Sequence, residues 1–361
     1  MDLIEIAKYF KVDGRVESVK SVGEGFINDT YFVKVLSAVP GYILQRKNSN
    51  VFKNIPEMMS NIDRVTAHIS RKVKEAGGNP LFEVLHVVPT KSGELCYKDE
   101  SGNYWAMSRL IPDVLAIDRV SDAGIARKGG IGIGRFQRQL ADFQEELYDT
   151  LPGFHDMRFR FEQWEESLSR DAAGRKDAVK EEIEWIESRK ERMMELKRKI
   201  EDGTIPMRVA HNDTKINNIL FDKKRDVLCV IDLDTVMRAP VLYDFGDAIR
   251  SYANTGKEDD SNLDNVEISL DIFRGFAEGY LSQCREALTD AEIDNLAFSA
   301  LYITFEQVLR FLMDYIDGDT YYKTRYPAHN LVRARAQYKL LRSMEEHYEE
   351  MQSIIRSIAA E

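Results

Sequence analysis

Val209-Ala210-His211-Asn212-Asp213-Thr214-Lys215-Ile216-Asn217-Asn218-Ile219-Leu220-Phe221 runs into a polar turn at 222–226, and Val227-Leu228-Cys229-Val230-Ile231-Asp232-Leu233-Asp234 follows. Two short apolar runs, 218–221 and 227–231, flank a charged turn, which reads as a hairpin. The chemically capable residues gather at its ends. His-x-Asp stands just before the first strand, and Asp232 closes the second.

That placement suits phosphoryl transfer. A hydroxyl attacking phosphorus needs a carboxylate to orient it and take its proton. The phosphates need hard oxygen ligands around a neutralising Mg²⁺. His-x-Asp, four residues and then Asn is the spacing of a kinase catalytic loop. Asp213 is then the base, Asn218 a metal ligand through its amide oxygen and Asp232 the principal Mg²⁺ ligand, while His211 orients the loop. The eight-residue pattern alone would arise by chance in many proteins; the strand–turn–strand and the aspartate behind it make it specific. The plainer alternative is a turn cap at Asp213 and a solvated strand end at Asp232.

Upstream, residues 1–110 read as strands and turns around one helix, 56–76, which has apolar residues at helical spacing and is stopped by Gly77-Gly78-Asn79-Pro80. Strands are expected at 16–22, 31–35, 42–46, near 82–88 and at 104–110. Between the first two lies Gly23-Glu24-Gly25-Phe26-Ile27-Asn28-Asp29-Thr30. Gly23 and Gly25 would let backbone approach a nucleotide closely, with Asn28 and Thr30 completing the phosphate cover. The third strand ends in Gln45-Arg46-Lys47, where an arginine could hold phosphate oxygens bidentately, and Glu57 on the following helix could pair with it. Beyond Pro112 long helices are expected at 130–149, 176–201, 264–284, 290–316 and 328–358. The fold expectation is therefore α+β: a bilobal, protein-kinase-like chain with a small antiparallel-sheet lobe, 1–110, and a larger, mainly helical lobe, 111–361. Gly129-Gly130-Ile131-Gly132-Ile133-Gly134 imitates a nucleotide loop, but it follows no strand, and Arg135 stands where its third glycine should be. A closely packed helix start is the better reading.

Composition narrows the partners. A net charge of −11 over 361 residues argues against a nucleic-acid surface, whereas ATP and Mg²⁺ can be held by local groups in an acidic protein. Cysteines at 96, 229 and 284 are odd in number and far apart, as reduced thiols would be. The start, Met-Asp-Leu-Ile-Glu, lacks the basic region of a secretion signal, and no apolar run reaches the ~18 residues of a membrane span. A cytoplasmic monomer acting on a small molecule, without nucleic acid or membrane, is the expectation.

The strings His211–Asn218, Ile231-Asp232-Leu233-Asp234-Thr235 and Leu242-Tyr243-Asp244-Phe245-Gly246-Asp247 resemble the aminoglycoside phosphotransferase/choline kinase superfamily, and within it the N-acetylhexosamine 1-kinases. The likeness extends to Tyr42–Arg46, Asn50–Phe52, Gly318–Tyr322 and Tyr326–Asn330, and so covers nearly the whole chain. It implies ATP as donor, Arg46 as the phosphate-holding cation by its register on the third strand, and the anomeric hydroxyl of N-acetylglucosamine or N-acetylgalactosamine as acceptor, with Arg310 and Tyr321 near the sugar. An aminoglycoside, choline, homoserine or another sugar stays open as acceptor; the acidic run Glu258-Asp259-Asp260 would suit a cationic one. A non-catalytic nucleotide-binding module should have lost the base or a ligand, and all three residues are present. A protein kinase is disfavoured, because Asp244-Phe245-Gly246 comes too late to supply the metal aspartate and no activation segment precedes it.

Overall fold

The structure is a computed structural model that describes residues 2–22 and 27–360; Gly23 and Gly25 lie outside the described residues. The chain opens with α1 (Leu3–Ala7), β1 (Arg15–Ser21), β2 (Asp29–Leu36), β3 (Tyr42–Lys47), α2 (Ile55–Glu75), α3 (Pro80–Glu83), β4 (Tyr97–Lys98), β5 (Tyr104–Arg109) and β6 (Leu115–Ala116). Helices α4 (Ala123–Gln139), α5 (Met157–Arg170), α6 (Lys180–Glu187) and α7 (Lys190–Glu201) lead to β7 (Arg208–Ala210), β8 (Ile219–Phe221), β9 (Val227–Val230) and β10 (Met237–Ala239). The remainder is helical: α8 (Leu242–Tyr252), α9 (Leu270–Cys284), α10 (Asp290–Asp294), α11 (Leu296–Ile316), α12 (His329–Glu346) and α13 (Tyr348–Ala360).

Two compact units result: Met1–Ile117 with Phe136–Leu151 and Asn217–Arg238, and Asp118–Arg135 with Pro152–Ile216 and Ala239–Glu361. This differs from a single boundary near 110. The hairpin β8–β9 falls in the first unit because β6 pairs with it, Leu115 opposite Phe221 and Ala116 opposite Leu220. The architecture is α+β as expected, with a small antiparallel sheet in the first unit and a mainly helical second unit.

In the first unit the sheet order is β1-β2-β3-β5-β4, every pairing antiparallel. One face packs Val33, Leu44, Trp105 and Met107 onto Ile6 and Phe10. Helix α2 starts at Asn54, whose side chain accepts from the Glu57 N–H, with Pro56 in the first turn. It buries the expected stripe of Met58, Ile62, Val65, Ile69 and Val73, and left-handed Gly77 ends it. The strand expected near 82–88 is different: Asn79 caps and Pro80 starts the short helix α3.

In the second unit α11 packs against α8, α12 and α5. It is the one described helix long and apolar enough to cross a membrane, and 83% of that stretch is buried inside the protein. The glycine run lies within α4, not in a loop. A Cβ on Gly130 would come 2.1 Å from the Phe276 carbonyl oxygen, and one on Gly279 of α9 would come 2.0 Å from that of Arg127. Glycine thus lets two backbones touch. The helix expected over 176–201 breaks between α6 and α7, where Arg189 pairs with Glu345 at 2.7 and 2.8 Å and lies over the Tyr338 ring.

Candidate active site

Asp213 belongs to the second unit. Strand β7 ends on the buried pair Val209 and Ala210, and the chain then turns sharply through Asn212 at φ +65. Such a φ is costly for a side chain other than glycine and needs support from its surroundings. Fully buried Asp244, in the first turn of α8, provides it: its carboxylate accepts the N–H of His211 at 3.0 Å and of Asn212 at 2.7 Å. Asp247 accepts the Thr214 N–H at 2.9 Å, and the Thr214 hydroxyl donates to the Asp244 carbonyl at 2.6 Å. The His211 ring, buried beneath the loop, accepts the Asp213 N–H through Nδ1 at 3.2 Å.

The Asp213 carboxylate meets the Lys215 ammonium at 2.8 Å. Burial pushes its titration upward, but the charge and hydrogen bond of Lys215, with smaller contributions from His211 and Arg250, outweigh that and hold it below the usual carboxylate range. Asp213 in turn raises Lys215. An ionised carboxylate at neutral pH results, fit to receive a hydroxyl proton. Arg250, itself buried, is neutralised by Asp247 at 2.9 Å and Glu258 at 3.0 Å.

Asn218 and Asp232 belong to the first unit, and the hairpin brings them together. Ile219 pairs with Val230, and one step outward the Ile231 N–H donates to the Asn218 carbonyl at 2.9 Å. Asn218 is buried, whereas Asp232 is exposed and left-handed at φ +60. Two residues on, Asp234 receives Lys47 Nζ at 2.7 and 2.9 Å and Asn28 Nδ2 at 2.7 Å. The Lys47 and Asp234 side chains are 3% and 7% exposed, a buried ion pair.

This pair corrects the expectation at Arg46. Side chains alternate along a strand. Lys47 lies on the same face of β3 as Gln45, to which it donates at 2.7 Å, while Arg46 turns to the opposite face and pairs with Asp29 at the surface. The interior cation of β3 is Lys47, and Glu57 makes no ion pair with Arg46 among the described residues. Asn28 does take an interior place; Thr30 is half-buried and accepts from Gln45 Nε2 at 3.4 Å.

Arg310 and Tyr321 are neighbours in the second unit. Arg310 Nη2 lies 3.5 Å from the Tyr321 hydroxyl, and its guanidinium sits 5.6, 5.5 and 6.0 Å from the rings of Tyr321, Tyr322 and Phe154. Tyr321 is 65% exposed. Asp314 shapes this loop by accepting the N–H groups of Thr320, Tyr321 and Tyr322 at 2.7–2.9 Å. The acidic run 258–260 is consumed internally: Glu258 by Arg250, Asp259 by His329 at 3.0 Å, and Asp260 by the Asn262 N–H at 3.0 Å.

Residues that sequence reading missed stand behind the loop: His155, Glu306 and Arg160, all buried. The detectable signal was Glu306, an acid inside the apolar helix α11, since a buried charge demands partners.

Residues 18–266 match the phosphotransferase enzyme family. Among solved structures, a microcompartment-associated aminopropanol kinase superposes with a TM-score of 0.65 at 15% identity, covering 97% of each chain. Spectinomycin phosphotransferase in complex with ADP and spectinomycin gives 0.53 at 16% identity, covering 99% of this chain and 97% of the other. An aminoglycoside phosphotransferase from Alicyclobacillus acidocaldarius gives 0.57 at 10% identity, covering 97% of each. At these identities the likeness is one of fold.

Proposed function

We propose that this chain, which belongs to the phosphotransferase enzyme family within the aminoglycoside phosphotransferase/choline kinase superfamily, is an ATP- and Mg²⁺-dependent small-molecule kinase whose acceptor is the anomeric hydroxyl of an N-acetylhexosamine. The observation that carries the phosphotransfer reading is the Asp213 loop, in which four backbone N–H groups (His211, Asn212, Asp213 and Thr214) are fixed by Asp244, Asp247 and His211, leaving an ionised carboxylate beyond a left-handed turn.

The donor set fits magnesium: the amide oxygen of Asn218 and the carboxylate of Asp232 are hard oxygen ligands on neighbouring hairpin positions. When bound, the ion would supply charge neutralisation at the phosphates. Asp213 would orient the acceptor hydroxyl and take its proton at the carboxylate. Lys47, held by Asp234, is the cation offered to phosphate oxygens in place of Arg46; Asn28, just before β2, also binds Asp234, and Thr30 on β2 binds Gln45 beside Lys47, both placed to cover the nucleotide.

The pairing of the nearby acids favours a neutral acceptor. Lys215 and Arg250 act on Asp213, and Arg250 also lies within electrostatic reach of Arg310. The acids at 258–260 are already engaged by Arg250, His329 and the Asn262 N–H, and would have to give up those partners to hold a choline or aminoglycoside cation. A sugar could instead lay its apolar face on Tyr321 and offer hydroxyls to Arg310. The test is ADP release from Mg²⁺-ATP with N-acetylglucosamine, N-acetylgalactosamine, glucose, galactose, choline, homoserine and kanamycin. Turnover confined to the N-acetylhexosamines, with phosphorus coupled to the anomeric proton in the product, is expected; preference for a cationic acceptor would overturn the sugar assignment.

A further inference from the structure

His155 is buried in the turn before α5, itself left-handed at φ +58. Its backbone carbonyl accepts the Tyr302 hydroxyl at 3.0 Å, and that hydroxyl receives the Met157 N–H at 3.1 Å. The ring lies against Phe154 and Tyr243 at 4.1 and 5.4 Å between centroids. One ring nitrogen, Nε2, is 3.1 Å from the carbonyl oxygen of Asn212; the other, Nδ1, is 2.5 Å from Glu306 Oε2. The second Glu306 oxygen accepts Arg160 Nε at 2.8 Å.

The Asn212 carbonyl is a meaningful place to hold. It belongs to the same planar peptide unit as the nitrogen of Asp213. Fixing that oxygen fixes the orientation of the plane from which the Asp213 Cα departs. Asp244 already fixes the preceding peptide from the α8 side, through the Asn212 N–H. The left-handed turn at Asn212 is therefore clamped at both its N–H and its C=O. A carbonyl oxygen only accepts, so Nε2 must carry hydrogen. Glu306, drawn well below the usual carboxylate range by His155, Arg160 and Arg310 against its burial, also accepts, which places hydrogen on Nδ1. Glu306 thereby sets the ring's orientation and presents Nε2–H to the loop.

We infer that His155 is a positioning residue for the base, with Glu306 orienting its ring: the pair holds the 212–213 peptide so that the Asp213 carboxylate stands ready for the acceptor hydroxyl. The inference rests on the reading of Asp213 as base.

The test compares the intact wild type with His155→Phe, which keeps a ring against Phe154 and Tyr243 but loses both N–H groups. His155→Gln, which keeps one donor for the Asn212 carbonyl, and Asp213→Asn complete the set. Hydrogen exchange of the 209–216 segment, which needs no acceptor, should rise several-fold in His155→Phe while that of α11 stays unchanged. Turnover of Mg²⁺-ATP with N-acetylgalactosamine should fall about 10–100-fold in kcat, as for a misplaced catalytic group. The KM for ATP should stay within about twofold, and His155→Gln should recover part of the loss. On an Asp213→Asn background His155→Phe should add nothing further. Unchanged exchange at 209–216, or a kcat loss that adds fully on that background, overturns the inference. Should His155→Phe fail to fold, the same two readouts on His155→Gln and Glu306→Gln decide. Near-normal turnover in Asp213→Asn would sink the base assignment separately.

Discussion

Breaking the Lys47–Asp234 pair is the sharpest test of how the first unit is built. Both side chains are almost fully buried, at 3% and 7% exposure. Lys47 retains only Gln45 Oε1 if Asp234 becomes Ala, and Asp234 retains Asn28 Nδ2 if Lys47 becomes Met. Removing one member of a buried pair leaves an uncompensated charge and costs about 3–5 kcal/mol. Asp234→Ala should lie at the upper end, because a neutral amide oxygen compensates an ammonium poorly. Lys47→Met should lie at the lower end, since Asn28 still donates. At about 2–4 °C per kcal/mol for domains of this size, the shifts in Tm amount to roughly 6–20 °C. The double variant, with no charge left to strand, should be more stable than the sum of the singles implies, because much of each loss is desolvation of the orphaned partner. Thermal unfolding of all four proteins, each also titrated with Mg²⁺-ATP, measures this. Single losses of the size seen at exposed pairs, or strictly additive losses in the double variant, would refute the account of Lys47 as the interior cation.

The remaining tests are shorter. Arg46→Ala should cost no more than about 0.2–1 kcal/mol, because its bridge to Asp29 lies at the surface, and it should leave the KM for ATP unchanged; a large rise in KM would restore Arg46 as the phosphate cation. Asp232→Ala should abolish Mg²⁺-dependent ATP binding by calorimetry, and a fully active variant would overturn the metal assignment. Lys215→Met should move the acid limb of kcat to higher pH. Lys215 lowers the Asp213 carboxyl, the base works only when ionised, and losing the cation lets the carboxyl rise toward its ordinary value; an unmoved limb would show that Asp213 does not govern it.

Much of this architecture was legible because the relevant residues are close in sequence. The hairpin's pairing follows from two apolar runs around a turn, and that pairing alone places Asn218 beside Ile231 and Asp232. The stripe on α2 follows from helical spacing. Arg46 against Lys47 was not legible, because alternation says that the two face opposite ways without saying which face is interior. Both faces of β3 bury side chains, Leu44 on one and Lys47 on the other, so only the register against Asp234 decides. The helix breaks at 188–189 and 347 were hidden for another reason: helix-forming residues continue across both, and tertiary contacts such as Arg189 with Glu345 set the break. His155 and Glu306 are 151 positions apart in the sequence, a separation that no local pattern can bridge.

Asp244-Phe245-Gly246 shows why a short string cannot be read apart from its fold. In a protein kinase those three letters would mark the metal aspartate, yet each has a complete explanation here without metal. Asp244 is 0% exposed, its two oxygens accepting the N–H groups of His211 and Asn212. Phe245 packs edge-on against Phe273, Phe276 and Tyr280. Gly246 faces α11 so closely that a Cβ would come 2.4 Å from the Ser299 carbonyl oxygen. The tripeptide therefore ties the 211–214 loop to α8 and α8 to α11, the helix that also carries Glu306 and Arg310. From Glu306 the connection returns through His155 to the Asn212 carbonyl. The turn at Asn212 is thus held from two directions by groups that converge on one helix, which is why a left-handed asparagine persists immediately before Asp213.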